Sequence, residues 1–340
     1  MRKFLNTLCI TIGMGIVSLY VDAHQQQQPQ SPSEPILGTI YRPPLLWRDP
    51  GHIESLNLFY GNGSPERAPK GPFTFVKELM GGATPKFEIV DSKDVHWIAK
   101  LGDEAKSETA ATRLVWAAGY FTDGAYYLSE MRVEQMSKLS RGSQFVSKDG
   151  GVQSVRLEPI LNLQSDQQRL GNWSWSDNPF EGTKEMDGLR VMMALINNWD
   201  LKTSNNTIYS IMGQAVYVVS DLGGSFGKTG GVGSRTKSRL DDYAASKFVD
   251  EADFEAVDLN IKSRPFFVLA VDPYHYSKFA SREKVGRNIP TAHAKWLAGF
   301  LNRLSIEQIR DCFRAAGYSP AEVDGFANVV QSRIAELNRL

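Results

Sequence analysis

The stretch between positions 199 and 223 constrains the fold of this 340-residue chain more than any other part of its sequence. It contains Asp200 and Asn205, continues through β-branched and aromatic residues on both sides of a glycine turn, and then reaches Asp221. This pattern predicts a loop followed by a β-hairpin, which would return Asp221 to the neighbourhood of the loop. Carboxylate and amide oxygens gathered in this way suit a hard divalent cation such as Mg²⁺. The stretch therefore predicts a metal site.

A simpler interpretation of the same residues stays open. Asp and Asn are common in turns because their side chains form hydrogen bonds to nearby backbone groups. On that interpretation Asp200 and Asn205 are turn residues, and Asp221 belongs to a turn that ends a strand. Short motifs often match by chance, so the upstream sequence is needed to decide between a metal site and simple turns.

The stretch resembles the catalytic core of the protein-kinase-like superfamily, in which an Asp-x-Lys-x-x-Asn loop precedes a hairpin and an Asp-Phe-Gly motif. Here the loop runs from Asp200 through Lys202 to Asn205, and positions 221–223 are Asp-Leu-Gly. The resemblance implies that Asp200 orients or deprotonates an acceptor hydroxyl and that Lys202 lies near the transferred phosphoryl group. It also implies that Asn205 and Asp221 hold Mg²⁺ or Mn²⁺.

The sequence departs from the common form of this motif pair at two places. Asn198 and Trp199 replace the His-Arg that usually precedes the catalytic Asp, and Leu222 replaces Phe. These departures make the chain more similar to HipA-like, phosphoinositide-kinase-like or secreted CotH-type kinases than to eukaryotic signalling kinases. The resemblance is therefore to an atypical branch.

Three antiparallel strands are predicted upstream, at positions 73–79, 86–90 and 95–101, because apolar and polar residues alternate there. The first turn between them contains Gly81 and Gly82. In the kinase resemblance, this turn covers the nucleotide and its backbone N–H groups contact phosphates. Many hairpins use Gly-Gly, so the turn alone does not distinguish a phosphate contact from a plain hairpin.

Lys100 ends the third predicted strand and is followed by a predicted helix at positions 103–118, for which Ser107 is a candidate cap. The strand resembles the kinase Val-Ala-Ile-Lys strand, whose Lys holds nucleotide phosphates and pairs with a helix Glu. Glu108 is the predicted partner and Glu104 is its rival. In the plainer alternatives, Lys100 is an exposed strand-end lysine and the acids stabilise the helix dipole.

The remaining pattern predicts an α+β protein with the bilobal protein-kinase-like fold. A strand-rich N-lobe is expected over 71–165, with further strands at 126–133 and 152–160. A mainly helical C-lobe is expected over 166–340, with a buried helix at 187–197 and three helices after residue 290. Residues 237–258 are charged and compatible with helix. Residues 24–70 are predicted to be a flexible leader and an N-terminal wrap of the first lobe, anchored by Trp47, Leu58, Phe59 and Tyr60.

Residues 1–23 have the features of a cleaved signal peptide: Arg2 and Lys3, an apolar stretch, and small residues at the end. The apolar stretch is short for a spanning helix, so no stable membrane span is expected after cleavage, and the location is predicted to be periplasmic or secreted. Cys312 is then the only cysteine, which excludes an intramolecular disulfide, and its helical pattern predicts a small buried side chain.

Net charge and a second glycine-rich segment limit the other functional classes. Positive and negative residues number 38 each, so no general attraction for nucleic acid is implied. Gly227 and Lys228 are followed by Thr229, which resembles the end of a Walker phosphate loop. That motif requires a glycine at the position of Leu222, and the glycines at 230 and 231 would break the helix that should follow.

The resemblance thus predicts an atypical kinase that transfers the γ-phosphoryl group of ATP, or another nucleotide, to a hydroxyl acceptor. The acceptor class stays open between a protein, a lipid and a small molecule. Because free ATP is expected to be scarce outside the cytoplasm, enzymatic activity is itself left open. The alternative is a nucleotide-binding pseudokinase or a non-catalytic surface binding protein.

Overall fold

The computed structural model of the protein describes residues 42–82, 84–160, 167–228, 235–261 and 282–340. The predicted signal peptide, the flexible leader up to residue 41 and the glycines at 230 and 231 lie outside these residues. Arg42–Leu340 form one compact unit.

Along the described chain, groups of two to four strands are separated by single helices, and three consecutive helices follow the last strand. The strands are β1 (Phe73–Leu79), β2 (Lys86–Val90), β3 (His96–Leu101), β4 (Phe121–Thr122), β5 (Tyr126–Glu134), β6 (Gly151–Pro159), β7 (Gln167–Gly171), β8 (Asn206–Ile211), β9 (Gln214–Val219), β10 (Val249–Ala252), β11 (Ala256–Leu259) and β12 (Ile289–Pro290). The α-helices are α1 (Glu104–Ala117), α2 (Lys184–Leu195), α3 (Leu240–Ala245), α4 (Thr291–Leu301), α5 (Ile306–Arg314) and α6 (Pro320–Leu337).

Five strands close into a small barrel in the order β1-β2-β3-β6-β5. All neighbours are antiparallel except β1 and β5, whose parallel pairing of Phe73 with Val133 closes the barrel. Alternate side chains of a strand point to opposite faces, so one set fills the interior. Phe87, Trp97 and Leu157 are among these buried residues. The predicted strands at 73–79, 86–90 and 95–101 are confirmed within one residue at each end.

The helix α1 packs between the barrel and the helical half of the chain. Ala110, Ala111 and Leu114 are fully buried in the same core as the side chains of α2, so α1 contributes more to the second core than to the barrel. Ser107 does not cap the helix as predicted. It lies inside α1 and is buried, and Asp103 occupies the N-cap position without a side-chain cap bond.

A second sheet, in the order β4-β9-β8-β7, contains the predicted hairpin. Its two long strands pair from Asn206 opposite Val219 to Ile211 opposite Gln214. The short strand β4, which the sequence did not predict, runs parallel to β9 and joins the end of α1 to this sheet. The loop at 199–205 leads directly into β8, so the hairpin connects this loop to the second sheet.

Three helices end the chain, as predicted. Ser305 and Ser319 each form a capping box, in which the serine side chain and a side chain three residues later bond each other's backbone. Residues 237–258 differ from the expectation, since only α3 is helical there. The strands β10 and β11 form around a turn in which the Asp253 carboxylate accepts the N–H groups of Glu255 and Ala256.

The segment before β1 contacts both cores: its first part packs on the helical half, and its second part, from Tyr60 onwards, packs on the barrel. The ring of Trp47 packs against Trp296 at 5.0 Å between ring centroids, and Leu58 is fully buried in the second core. Tyr60 packs against the barrel core. Phe59 is 41 % exposed and is therefore not an anchor.

These elements confirm the α+β class and place a barrel of strands beside a mainly helical half. Cys312 is fully buried in α5, as predicted. Among the described residues, no helix is both long enough and apolar enough to cross a membrane.

Candidate active site

One row of cross-strand neighbours brings three cations to the outer face of the barrel. Lys86 pairs with Lys100 across β2 and β3, and Lys100 pairs with Arg156 across β3 and β6. Directly paired residues of antiparallel strands project to the same face. Because Phe87 and Leu157 point into the barrel, this row points out of it, towards α1.

Lys100 and Glu108 form a buried ion pair. The Nζ atom of Lys100 lies 3.1 Å from Oε1 and 3.3 Å from Oε2 of Glu108. Burial would lower the pKa of Lys100, but the charge of Glu108 raises it above its usual value. The rival Glu104 contacts Thr84 and Lys237 instead. The structure thus pairs Lys100 with Glu108 and not with Glu104.

Arg156 extends this pair into a cluster that sequence reasoning missed. Its Nη2 atom lies 3.4 Å from Glu108 Oε1, and its Nη1 atom donates to Glu158 Oε2 at 2.7 Å. Burial and the charge of Glu158 raise the pKa of the nearby Asp123 carboxyl to about 7. The available signal was the alternation of β6, which puts Arg156 and Glu158 on the same face of the strand. Their position beside Lys100 follows only once the register of β6 with β3 is known.

The predicted catalytic loop is held by bonds to its backbone. The Asn198 side chain accepts the Asp200 N–H at 3.0 Å, and the Asn205 amide donates to the Asp200 carbonyl at 2.7 Å. Lys202 Nζ donates to Asp200 Oδ2 at 2.7 Å. The other carboxylate oxygen, Oδ1, is buried and accepts no hydrogen bond within the described part of the chain, although Arg282 Nη1 is 3.7 Å away.

The two predicted metal ligands lie side by side. The backbone N–H of Asp221 donates to the Asn205 carbonyl at 3.2 Å, so the end of the hairpin returns to the loop as the sequence predicted. Burial raises the pKa of Asp221, but the charge of Lys100 and the Gly223 N–H together lower it below the usual range. Lys100 and Asp221 are therefore close enough to interact across the space between the two halves.

Their chemistry fits a divalent cation. Asp221 is kept ionised by its surroundings, and within the described residues the side-chain oxygen of Asn205 accepts a single long contact of 3.4 Å from Ser204. Mg²⁺ is typically bound through one or two carboxylates together with substrate phosphates. Within the described ranges, no group of three or more His, Cys, Asp or Glu residues is arranged as a metal site.

The glycine turn between β1 and β2 lies at the rim of the cluster. Gly81 and Gly82 are exposed, and Gly82 has a positive φ of 76°. The Arg141 guanidinium donates hydrogen bonds to the carbonyl groups of Gly82 at 2.7 Å and Leu79 at 3.0 Å, and these bonds hold the backbone of the turn in place. Burial and the charge of Lys100, its neighbour across β2 and β3, lower the pKa of Lys86. Phosphate contact by the two glycines stays a prediction.

A cavity of about 790 Å³ lies next to the cluster, between the barrel and the hairpin. Trp97, Ile98 and Glu158 line it from the barrel, and Tyr209 and Val218 line it from the second sheet. Apolar groups make up most of its walls, and charged side chains from both the barrel and the second sheet also line it, a combination that suits small organic ligands. The charged cluster and this cavity together can hold a ligand that has both a charged and an apolar part.

No protein-family model and no curated protein matches the sequence. Among solved structures, the chain is similar to the Helicobacter pylori proinflammatory kinase CtkA, with 9 % identity and a TM-score of 0.43, over 78 % of this chain and 96 % of that one. It is also similar to the Golgi casein kinase, with 12 % identity and a TM-score of 0.35, over 84 % and 78 % of the two chains. The same kinase with Mn/ADP bound gives 11 % and 0.34, over 82 % and 80 %.

With identities of 9–12 % and TM-scores below 0.5, these similarities carry no residue role, so the roles have to come from the site itself. The strand that carries Lys100, the helix that carries its partner Glu108, and the loop and hairpin that end in Asp-Leu-Gly follow one another in the predicted order. The predicted α+β class is confirmed by these elements.

Proposed function

We propose that the protein is a phosphotransferase that moves the γ-phosphoryl group of ATP, or another nucleotide, to a hydroxyl group. The observation that supports this most is the buried Lys100–Glu108 pair, whose helix is bonded to the Asp-Leu-Gly segment through Ser107 and Gly223. A strand lysine held by a helix glutamate and a metal-binding carboxylate opposite it are the two elements that position nucleotide phosphates in this fold class.

Each predicted residue has a role in this proposal. Lys100, oriented by Glu108, would bind the phosphates, with the backbone of Gly81 and Gly82 above them. Asn205 and Asp221 would hold Mg²⁺ or Mn²⁺, which supplies charge neutralisation when bound. The nucleoside would occupy the cavity beside Glu158.

The acceptor hydroxyl would meet the catalytic loop. Asp200 Oδ1, a buried oxygen that accepts no hydrogen bond from the described residues and lies 3.7 Å from Arg282 Nη1, would accept the proton of that hydroxyl. Lys202, 2.7 Å from the other oxygen of the same carboxylate, would neutralise negative charge near the transferred group. Catalysis would then consist of positioning and charge stabilisation.

Two measurements test this proposal. Mn²⁺ with ATP should raise the thermal midpoint of the protein, since a ligand that binds only the folded state stabilises it. Radiolabelled γ-phosphate should be transferred to an acceptor by the wild type and not by Asp221→Ala. Stabilisation without transfer to any acceptor would support the pseudokinase alternative. No stabilisation by any nucleotide with Mn²⁺ or Mg²⁺ would refute nucleotide binding altogether.

We also propose that residues 1–23 direct export, on the evidence of their basic start, short apolar stretch and small-residue end. The protein recovered from outside the cytoplasm should then begin after residue 23. Intact-mass measurement of that protein checks the cleavage, and recovery of the uncleaved chain in the cytoplasm alone would contradict export.

A further inference from the structure

Lys86 is a cation of the candidate active site that none of the predicted roles uses. It begins β2 and pairs with Lys100 across β2 and β3, so the two side chains project to the same face of the barrel. The β-carbons of residues paired in this way lie about 5 Å apart, and like charges at such positions destabilise a sheet. The chain therefore contains an unfavourable pair of lysines at this place.

Lys86 differs from the other two cations of its row because it has no carboxylate partner among the described residues. Lys100 Nζ is 3.1 Å from Glu108, and Arg156 Nη1 is 2.7 Å from Glu158. Lys86 forms neither a salt bridge nor a hydrogen bond within the described part of the chain, and it is only partly exposed. A partly buried ammonium group without a counter-ion is costly. An anion bound from solution would supply the missing counter-ion.

The Lys86 side chain extends towards the glycine turn between β1 and β2. Its Nζ atom lies 3.7 Å from the position that a β-carbon on Gly82 would occupy. The backbone N–H groups of this turn are the ones proposed to contact phosphates, and the absence of a side chain on glycine leaves them accessible. Lys86 thus brings a positive charge to the same place as the proposed phosphate-binding backbone.

The position of Lys86 relative to the cavity indicates which part of a nucleotide it meets. Ile98 and Glu158 pair across β3 and β6 and line the cavity proposed to hold the nucleoside. Lys100 lies two residues after Ile98 on the same face, which is about 7 Å further along the strand. Lys86 lies opposite Lys100 and next to the glycine turn. The two lysines are therefore placed for the phosphates of a nucleotide whose nucleoside occupies the cavity.

We infer that Lys86 is a second phosphate-binding lysine, which binds the phosphates furthest from the nucleoside and makes the site selective for nucleotides with a polyphosphate chain. This inference rests on the proposed nucleotide binding, because it assigns a further contact to the same ligand. The bound phosphate would be the counter-ion that Lys86 lacks within the described chain. A hydrogen bond between two charged groups of this kind is stronger than one between neutral groups.

Binding of AMP and of a non-hydrolysable ATP analogue to the full chain, each with Mn²⁺, tests the inference. The two ligands share the nucleoside and the first phosphate, so their difference reports on the outer two phosphates. In calorimetry, Lys86→Met should weaken binding of the analogue about tenfold, as expected for the loss of one charged bond to phosphate. Binding of AMP should stay within about twofold of the wild type, a limit well below the effect of one charged bond. Lys86→Arg, which keeps the charge, should bind the analogue more tightly than Lys86→Met.

Stability without ligand separates a binding role from a structural one. Lys86 lies opposite Lys100 and has no counter-ion among the described residues, so Lys86→Met should leave the free energy of unfolding unchanged or raise it. Denaturant unfolding of the ligand-free protein measures this. Lys295→Met, the same substitution at an exposed position of α4, is the matched control and should change the binding of neither ligand.

The outcomes separate this inference from the proposed function. If Lys86→Met binds the analogue as tightly as the wild type, or loses affinity for AMP and the analogue by the same factor, the inference is wrong while nucleotide binding by the wild type still stands. A marked loss of stability in ligand-free Lys86→Met would assign Lys86 a structural role instead. If the wild type binds neither ligand, the proposed function is refuted, and this inference with it.

Discussion

The hydroxyl group of Ser107 in α1 donates a hydrogen bond to the carbonyl oxygen of Gly223 over 2.8 Å, and both groups are buried. This bond joins the helix that carries Glu108 to the segment that carries Asp221. A β-carbon at Gly223 would lie 3.1 Å from Cγ of Glu104, so a larger residue at this position would press on that side chain. The metal-binding segment and the lysine-pairing helix are therefore positioned by one direct contact.

Ser107→Ala should weaken both the fold and the site. It leaves the buried Gly223 carbonyl without its donor, which costs about 1–3 kcal/mol in the free energy of unfolding. Denaturant unfolding measures this loss, and the thermal shift produced by Mn²⁺ with ATP should shrink at the same time. Ser332→Ala, at an exposed position of α6, is the control and should change neither quantity appreciably. Equal behaviour of the two variants would show that the contact does not position the site.

Asp200→Asn should separate binding from turnover. The loop around Asp200 is held by bonds to its backbone N–H and C=O groups, which the substitution leaves in place. Phosphate transfer should fall by a factor of about 10²–10⁴, the usual contribution of a general base. The dissociation constant for Mn²⁺ with ATP should stay within about twofold of the wild-type value, since the substitution leaves the proposed metal and phosphate ligands intact.

Single-turnover assays and calorimetry check these two quantities. Asp221→Asn provides the contrast, because it should lose metal-dependent nucleotide binding as well as transfer. Full transfer activity in Asp200→Asn would refute the assignment of Asp200 as the base.

The sequence predicted the parts of this site that lie on regular local patterns. Alternation located β1, β2 and β3 and put Lys100 at the end of a strand, and the helical pattern of α1 offered both Glu104 and Glu108. The resemblance to kinases favoured Glu108, and the structure pairs Lys100 with it. The hairpin pattern also returned Asp221 to the loop.

The rest of the cluster could not be predicted because it depends on long-range strand pairing. Arg156 and Glu158 lie more than fifty positions after Lys100 and meet it only through the register of β3 with β6. Asp123 comes to the cluster because it directly follows β4, a strand of only two residues whose sequence shows no detectable pattern. Fully buried Arg156 was also unexpected by residue type, since arginine is seldom buried unless it is paired.

Asp123→Asn should flatten the pH dependence of stability. The folded protein holds a proton on Asp123 up to a pKa of about 7, above the ordinary value of 3.8, because of burial and the charge of Glu158. Stability from this group is therefore complete below about pH 4 and is lost as the pH rises towards 7 and beyond. Asparagine resembles the protonated acid and has no such loss.

Denaturant unfolding at about pH 4 and about pH 8, without metal or nucleotide, measures the effect. The wild type should lose about 1–3 kcal/mol more than Asp123→Asn over this interval. Asp177→Asn, at an exposed position, should follow the wild type. A wild-type profile parallel to that of Asp123→Asn would show that Asp123 is ionised at neutral pH.

Phe226→Ala should destabilise the protein more than the other variants. Phe226 follows the Asp-Leu-Gly segment with a positive φ of 57°, and its ring is fully buried. It packs edge-on against Tyr243, Phe313 and Phe326, with ring centroids 5.1–5.8 Å apart. Removing a buried phenyl ring leaves a cavity and costs about 3–5 kcal/mol.

The cost should also extend to the site, because this ring anchors the chain just after Asp221 in the helical core. Phe226→Ala should therefore bind Mn²⁺ with ATP more weakly than the wild type at a temperature where both are folded. Phe254→Ala is the matched control, since that ring is 88 % exposed in the turn between β10 and β11. A loss of stability in Phe226→Ala with unchanged nucleotide affinity would mean that the metal-binding segment keeps its position without the anchor.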